Sequence, residues 1–151
     1  MKQQRLCPVY RKWLQLHPVH ARQHRIALQT QAQVAHQTGN YQQARQLSYQ
    51  AFETAKVVLL SLQTPNTDNR LQEDVLAFGT MAMYLASALG KESRRTEALE
   101  ILQECQQQLL ALLPLHATNP AICKLISAVQ HALEQGSQLI SEQDHTHAYL
   151  H

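Results

Sequence analysis

The segment "HPVHARQH" holds the side chains best suited to chemistry. His17, His20 and His24 follow one another at spacings of three and four residues. On a helix such residues share a face, with neighbours roughly 5–6 Å apart. Neutral imidazole nitrogen is a good ligand for zinc, copper or nickel, so His17, His20 and His24 form the candidate metal site of this chain. Three features weigh against it. Pro18 places His17 at the start of the helix, Arg22 and Arg25 would repel a cation, and no carboxylate stands nearby to fix an imidazole tautomer. Histidines on the surface of a basic helix are therefore the preferred reading, with metal binding the alternative. His145, His147 and His151 belong to a polar end segment, "HTHAYLH", and no cofactor is expected.

Nucleophilic and acid–base chemistry find little to work with. The three cysteines, Cys7, Cys105 and Cys123, are odd in number and lack zinc or redox spacing, as expected of reduced thiols in an intracellular chain. Cys105 falls on an apolar stripe with Leu102 and Leu109, and Cys123 adjoins Ile122, so burial suits both. Glu73 and Asp74 open a helix, where they suit its dipole. With only 4 glycines there is no phosphate loop and no dinucleotide fingerprint. The expectation is that the protein is not an enzyme.

The elements that carry these residues are helices. The 151 residues suit one domain, with 44% apolar and only 16% charged residues. Its 22 glutamines supply much of the polar surface, and Gln, Leu, Ala and Arg favour helix while Gly and Pro are few. Charge is unevenly spread. The first 52 residues hold Lys2, Arg5, Arg11, Lys12, Arg22, Arg25 and Arg45 and no acid, while the remainder carries six basic and eleven acidic residues. Such a split calls for an acidic partner, a nucleic acid, or one half of the chain answering the other. Tyr10 and Trp13 interleave with these cations, but no reading helix or zinc finger accompanies them, which argues against nucleic acid.

The apolar period predicts about six helices in antiparallel succession. A short helix with Val9, Trp13, Leu14 and Leu16 should stop at His17, because a residue before proline avoids helical geometry. Pro18 then opens a second helix, with Ile26, Leu28, Ala32 and Ala35, closed by Gly39. Tyr41 opens a third, with Ala44, Leu47, Ala51, Ala55 and Leu59 on one side. The segment "TPNTDN" is the clearest break, and Asn69 with Gln72 resembles a capping box for a fourth helix carrying Val75, Leu76, Met83 and Leu89. Gly90 should end it and Ser93 cap a fifth, bearing Ala98, Leu102, Cys105, Leu109 and Leu113, closed by Pro114. Asn119-Pro120 starts a sixth, with Ile122, Ile126, Val129, Leu133 and Ile140. Residues 1–143 are expected to form one all-α domain, with 144–151 a flexible tail.

The run "LQTQAQVAHQTGNYQQARQLSYQAF" has the order of a helix, a Gly-Asn turn, an aromatic, and alanine three residues on. It resembles a tetratricopeptide repeat. Ala32, Ala44 and Ala51 match the small residues that let paired helices cross closely, Gly39, Asn40 and Tyr41 match the turn, and Phe52 follows. A degenerate second copy runs from Thr80 to Cys105, with Ala86, Ala98 and Leu102 at packing positions and "KESRRTEA" replacing the turn. Ala44 and Ala98 stand 54 residues apart, against a family period of about 34. The resemblance implies helical hairpins stacked as a right-handed superhelix, with a bundle of about six helices as the other arrangement. It also implies that Gln29, Gln33, His36 and Gln37, and from the second copy Thr80, Met83, Ser87 and Lys91, face a binding groove. The Lys and Asn pairs by which some members clamp a terminal carboxylate are missing.

The expected function is a protein–protein interaction module: an adaptor, chaperone or regulator binding a protein segment. The partner is expected to present an acidic surface to the basic helices around Arg11, Lys12, Arg22 and Arg25, a second copy of the chain being one possibility. The richest apolar run, "LLALLPL", is too short to cross a bilayer, and "MKQQRLCPVYRKW" lacks the apolar core of a secretory signal, so the cytoplasm is the expected location.

Overall fold

The structure, a computed structural model, describes residues 7–60 and 68–149, with side chains placed for 7–60 and 70–142. Among these residues there are six α-helices and no strand: α1 (Pro8–Leu16), α2 (Pro18–Gln37), α3 (Tyr41–Leu60), α4 (Asp68–Lys91), α5 (Arg95–Leu112) and α6 (Pro120–Tyr149), with a short 3-10 turn at Pro114–His116. The protein is all-α. Within the span expected to be one domain, the chain gathers into two compact units, Met1–Met81 and Ala82–His151, and α4 contributes residues to each.

Several boundaries follow the sequence signals. His17 takes a non-helical conformation before Pro18 and separates α1 from α2. Asn119 caps α6 by accepting the Ile122 N–H at 3.3 Å. Others differ. α4 begins at Asp68, so Asn69 lies inside the helix and is not its cap, and the preceding 61–67 fall outside the described residues. α4 also runs one residue past Gly90. Ser93 does not cap α5, because it takes the left-handed conformation with φ of 62° and Arg94 precedes the first turn. α6 continues as helical backbone to Tyr149, since no Gly or Pro after Gly136 interrupts it.

The two hairpin turns are built alike. At the first, Gly39 has a φ of 83°, its N–H donates to His36 O at 3.2 Å, and Asn40 N–H donates to Ala35 O at 2.9 Å. At the second, Ser93 N–H donates to Gly90 O at 3.1 Å and Arg94 N–H to Leu89 O at 2.9 Å. This pair of bonds closes a helix through a left-handed residue and satisfies carbonyls that its last turn would leave open. The next helix follows at once, at Tyr41 and at Arg95. Asn40 caps its helix through Gln43, whose N–H it accepts at 3.3 Å. Arg94 grips Glu97, also three residues on, at 2.7 Å.

The first unit has an apolar core. Leu14 of α1 docks with Ala21 of α2 and Val57 and Val58 of α3. Phe52 of α3 and Phe78 of α4 stack at 5.1 Å between ring centroids, the offset arrangement that aromatic pairs prefer. The inward row of α2 is Ala21, Arg25, Leu28, Ala32 and Ala35, so Ile26, expected inside, is exposed and a guanidinium replaces it. α1 buries only Leu14; Val9 and Leu16 face solvent because so short a helix offers one inward position to its neighbours. Leu76 of α4 is likewise exposed. In the second unit Leu102 and Leu109 of α5 are fully buried, as are Ile122, Ile126 and Leu133 of α6.

Candidate functional sites

The histidine face becomes an aromatic cluster. Trp13 and His17 stack at 4.1 Å, and Tyr10 stacks on Trp13 at 6.1 Å. His20 meets Trp13 edge-on at 5.5 Å, and His24 meets Tyr10 edge-on at 5.5 Å. The His17 Nδ1 lies 2.7 Å from the Trp13 carbonyl oxygen, which can only accept, so this ring nitrogen carries the proton. Burial holds His24 below the ordinary histidine pKa. Among the described residues no three His, Cys, Asp or Glu side chains gather as a metal ion requires. His17 and His20 also meet edge-on at 6.0 Å, so the three rings sit around Tyr10 and Trp13, contacts that the spacing of the histidines could not reveal.

The charge asymmetry is partly answered inside the first unit. Arg22 donates to both carboxylate oxygens of Asp74, from Nε at 3.0 Å and from a terminal nitrogen at 2.8 Å. Asp74 is buried, so this two-point grip compensates its desolvation. Arg11 approaches the buried Glu53 at 3.4 Å. Arg25 is only 8% exposed and donates to Gln29 Oε1 at 3.0 Å. Burial lowers the Arg25 pKa, with Asp74 opposing that shift. Arg22 and Arg25, expected to meet a partner, thus lie half-buried and buried.

The rest of the expected binding face is accessible. Gln33, His36 and Gln37 of α2 are exposed and Gln29 is half-buried beside them. His36 also meets Tyr41 edge-on at 5.2 Å across the turn. On α4, Thr80 is exposed, and Met83, Ser87 and Lys91 come together on the wall of a cavity of about 270 Å³ within the second unit. A broader groove of about 550 Å³ runs between α5 and α6, lined by Gln103, Gln106, Gln107 and Gln130 with Leu110 and Glu134. The sequence reading missed this groove; its signal was the cluster "QECQQQ" alternating with the apolar stripe of α5.

The cysteines divide by environment. Cys105 is buried, and burial, with Glu104 adding, pushes its thiol up to about 12. The thiol of Cys123 donates to the His116 carbonyl at 3.3 Å. Cys7 is exposed ahead of α1, and the backbone N–H groups of Tyr10 and Val9 lower its pKa.

Fold and sites together define an all-α protein of helix hairpins that carries exposed, glutamine-rich helix faces and an apolar cavity among the described residues. No helix among the described residues is long and apolar enough to cross a membrane. No protein-family model matches the chain, and neither a curated protein nor a solved structure does.

Proposed function

We propose that the protein is a non-enzymatic interaction module, a tetratricopeptide-like helical repeat that holds a segment of another protein. The observation that carries the helical-repeat reading is the agreement of the two hairpins at a fixed offset, longer than the tetratricopeptide period of about 34. Adding 54 to a position in α2 or α3 gives its counterpart in α4 or α5. Gln37 and Lys91 end their helices, Tyr41 and Arg95 begin the next, and Ala32 with Ala86 and Ala44 with Ala98 are buried pairs. Repeated helix pairs are scaffolds whose exposed faces bind extended partners. The counterparts of Gln29, Gln33 and Gln37 are Met83, Ser87 and Lys91, so one face recurs with changed chemistry.

On α2 this face offers carboxamides, each with donors and an acceptor suited to peptide backbone. A photo-crosslinking residue at Gln33 should trap a protein partner in extract of the native host. The same residue at Gln31, exposed on the other side of α2, should trap it weakly. Equal trapping at both positions, or none at either, would overturn the reading.

A further inference from the structure

Within that reading, we propose that the cavity between α4, α5 and α6 seats one apolar side chain of a partner segment, with an acidic residue beside it in that segment held by Lys91. The walls are apolar: Met83 and Ala86 from α4, Leu102 from α5, and Leu139 and Ile140 from α6. At about 270 Å³ the space is smaller than a typical small-molecule site and matches a single large side chain. Leu139 at its edge is 60% exposed, an apolar surface open to solvent.

Two helical glycines keep this space open. Gly90 stands near the end of α4 and Gly136 within α6, and both line the cavity. Glycine is a costly choice in a helix compared with alanine. A Cβ at Gly90 would meet nothing within 4 Å, and one at Gly136 would meet only Leu102 Cδ1 at 3.8 Å, an ordinary contact. Packing therefore does not demand glycine at either position. What their lack of side chains provides is room.

The charge at the cavity selects the neighbour. Lys91 is exposed, and among the described residues no carboxylate pairs with it. The adjacent Glu92 is held by Arg94 at 3.8 Å, and Arg94 also binds Glu97 at 2.7 Å. Lys91 is thus the uncompensated charge beside an apolar seat, with the Ser87 hydroxyl on the same wall. An apolar residue followed by a carboxylate satisfies both.

The test uses the full chain labelled at methyl carbons and a blocked peptide, Ser-Ser-Leu-Glu-Ser-Ser. Titration should shift the Met83, Leu139 and Ile140 methyl resonances saturably. Replacing the peptide leucine by serine should weaken binding about tenfold or more, the loss expected for one large apolar side chain. Replacing its glutamate by glutamine, or Lys91→Gln in the protein, should weaken it about two- to fivefold at low salt, as for an exposed ion pair. Gly90→Leu extends a side chain from the cavity wall, at a position where a Cβ meets nothing within 4 Å, and should abolish the shifts, with a thermal melt of the variant showing that it folds. Absent shifts in the native chain, or undiminished binding by Gly90→Leu, would overturn the proposal. So would octanoate binding as tightly as the peptide, because it would make the seat one for an acyl chain. Trapping at Gln33 separates the two readings: a partner trapped there while the peptide leaves the cavity unperturbed sinks the seat alone, whereas no trapped partner sinks the interaction module.

Discussion

Ala44 and Ala98 occupy the same place in two turns of the same construction, each buried and each donating its N–H at 3.0 Å to the carbonyl of the residue just before its helix. Asn40 plays that part for Ala44 and Arg94 for Ala98. Small side chains here let successive helices approach closely. Ala44→Leu and Ala98→Leu should each overpack such a contact and cost roughly 1–3 kcal/mol. Denaturant melts of both variants measure this, and a neutral result for either would mean its crossing is not tightly packed.

The left-handed residues of the two turns should respond in opposite ways. Gly39 tolerates its φ of 83°, while Ser93 holds 62° with a Cβ in place. Ser93→Gly should leave stability unchanged or raise it by up to about 1 kcal/mol, and Gly39→Ala should lower it by about 1 kcal/mol or more. Thermal unfolding of the two variants, run together, reads the difference.

How much of this was legible in the sequence depends on range. Turns and helix starts follow local chemistry, so His17-Pro18, Gly39 and Asn119-Pro120 could be read directly. The second hairpin turn was hidden because a serine and an arginine do the work of glycine and asparagine, and only backbone geometry shows the equivalence. The row of α2 was misjudged at Ile26 because burial of Arg25 depends on its surroundings near Asp74, far along the chain. Of the candidate binding residues, the α2 and α4 faces could be anticipated from helical phase. The glycines of the cavity could not, since their effect requires residues of α4, α5 and α6 to line one space.

The Arg22–Asp74 pair fixes what charge reversal will do. Asp74 is 1% exposed, and Arg22→Glu would set a second carboxylate against it. The expected effect is a loss of roughly 3–5 kcal/mol, the cost of breaking a buried pair from one side. Lys12, exposed on α1, should tolerate reversal with little change. Chemical denaturation distinguishes the two, and equal, small effects would show that the ion pair contributes nothing.

Thiol reactivity should follow environment. At neutral pH a lowered pKa gives Cys7 more thiolate, so iodoacetamide should modify it first. Cys105, pushed up to about 12 and buried, should react only on unfolding. Peptide mapping after timed alkylation checks the order, and early labelling of Cys105 would contradict its placement.

Acidification should loosen the helices around His24. Burial lowers its pKa in the folded state, so the unfolded chain binds the proton more readily. Stability is therefore kept above the ordinary value of 6.5 and lost as pH falls below it, the loss completing once pH has passed the lowered folded value. Trp13 is the only tryptophan, so its fluorescence reports on this cluster. The melting temperature followed by that signal should fall on going from pH 7 to pH 5, and less steeply in His24→Gln. Identical slopes in the two proteins would mean His24 does not carry the effect.

Calorimetry with the partner trapped at Gln33 tests most directly whether the α2 face of the first hairpin grips a protein segment. Gln33→Ala and Gln37→Ala together remove exposed carboxamides and touch no core residue. The account predicts binding weakened about tenfold or more, as for loss of the central contacts of an interface, with Tm unchanged. Undiminished affinity in that double variant would contradict it.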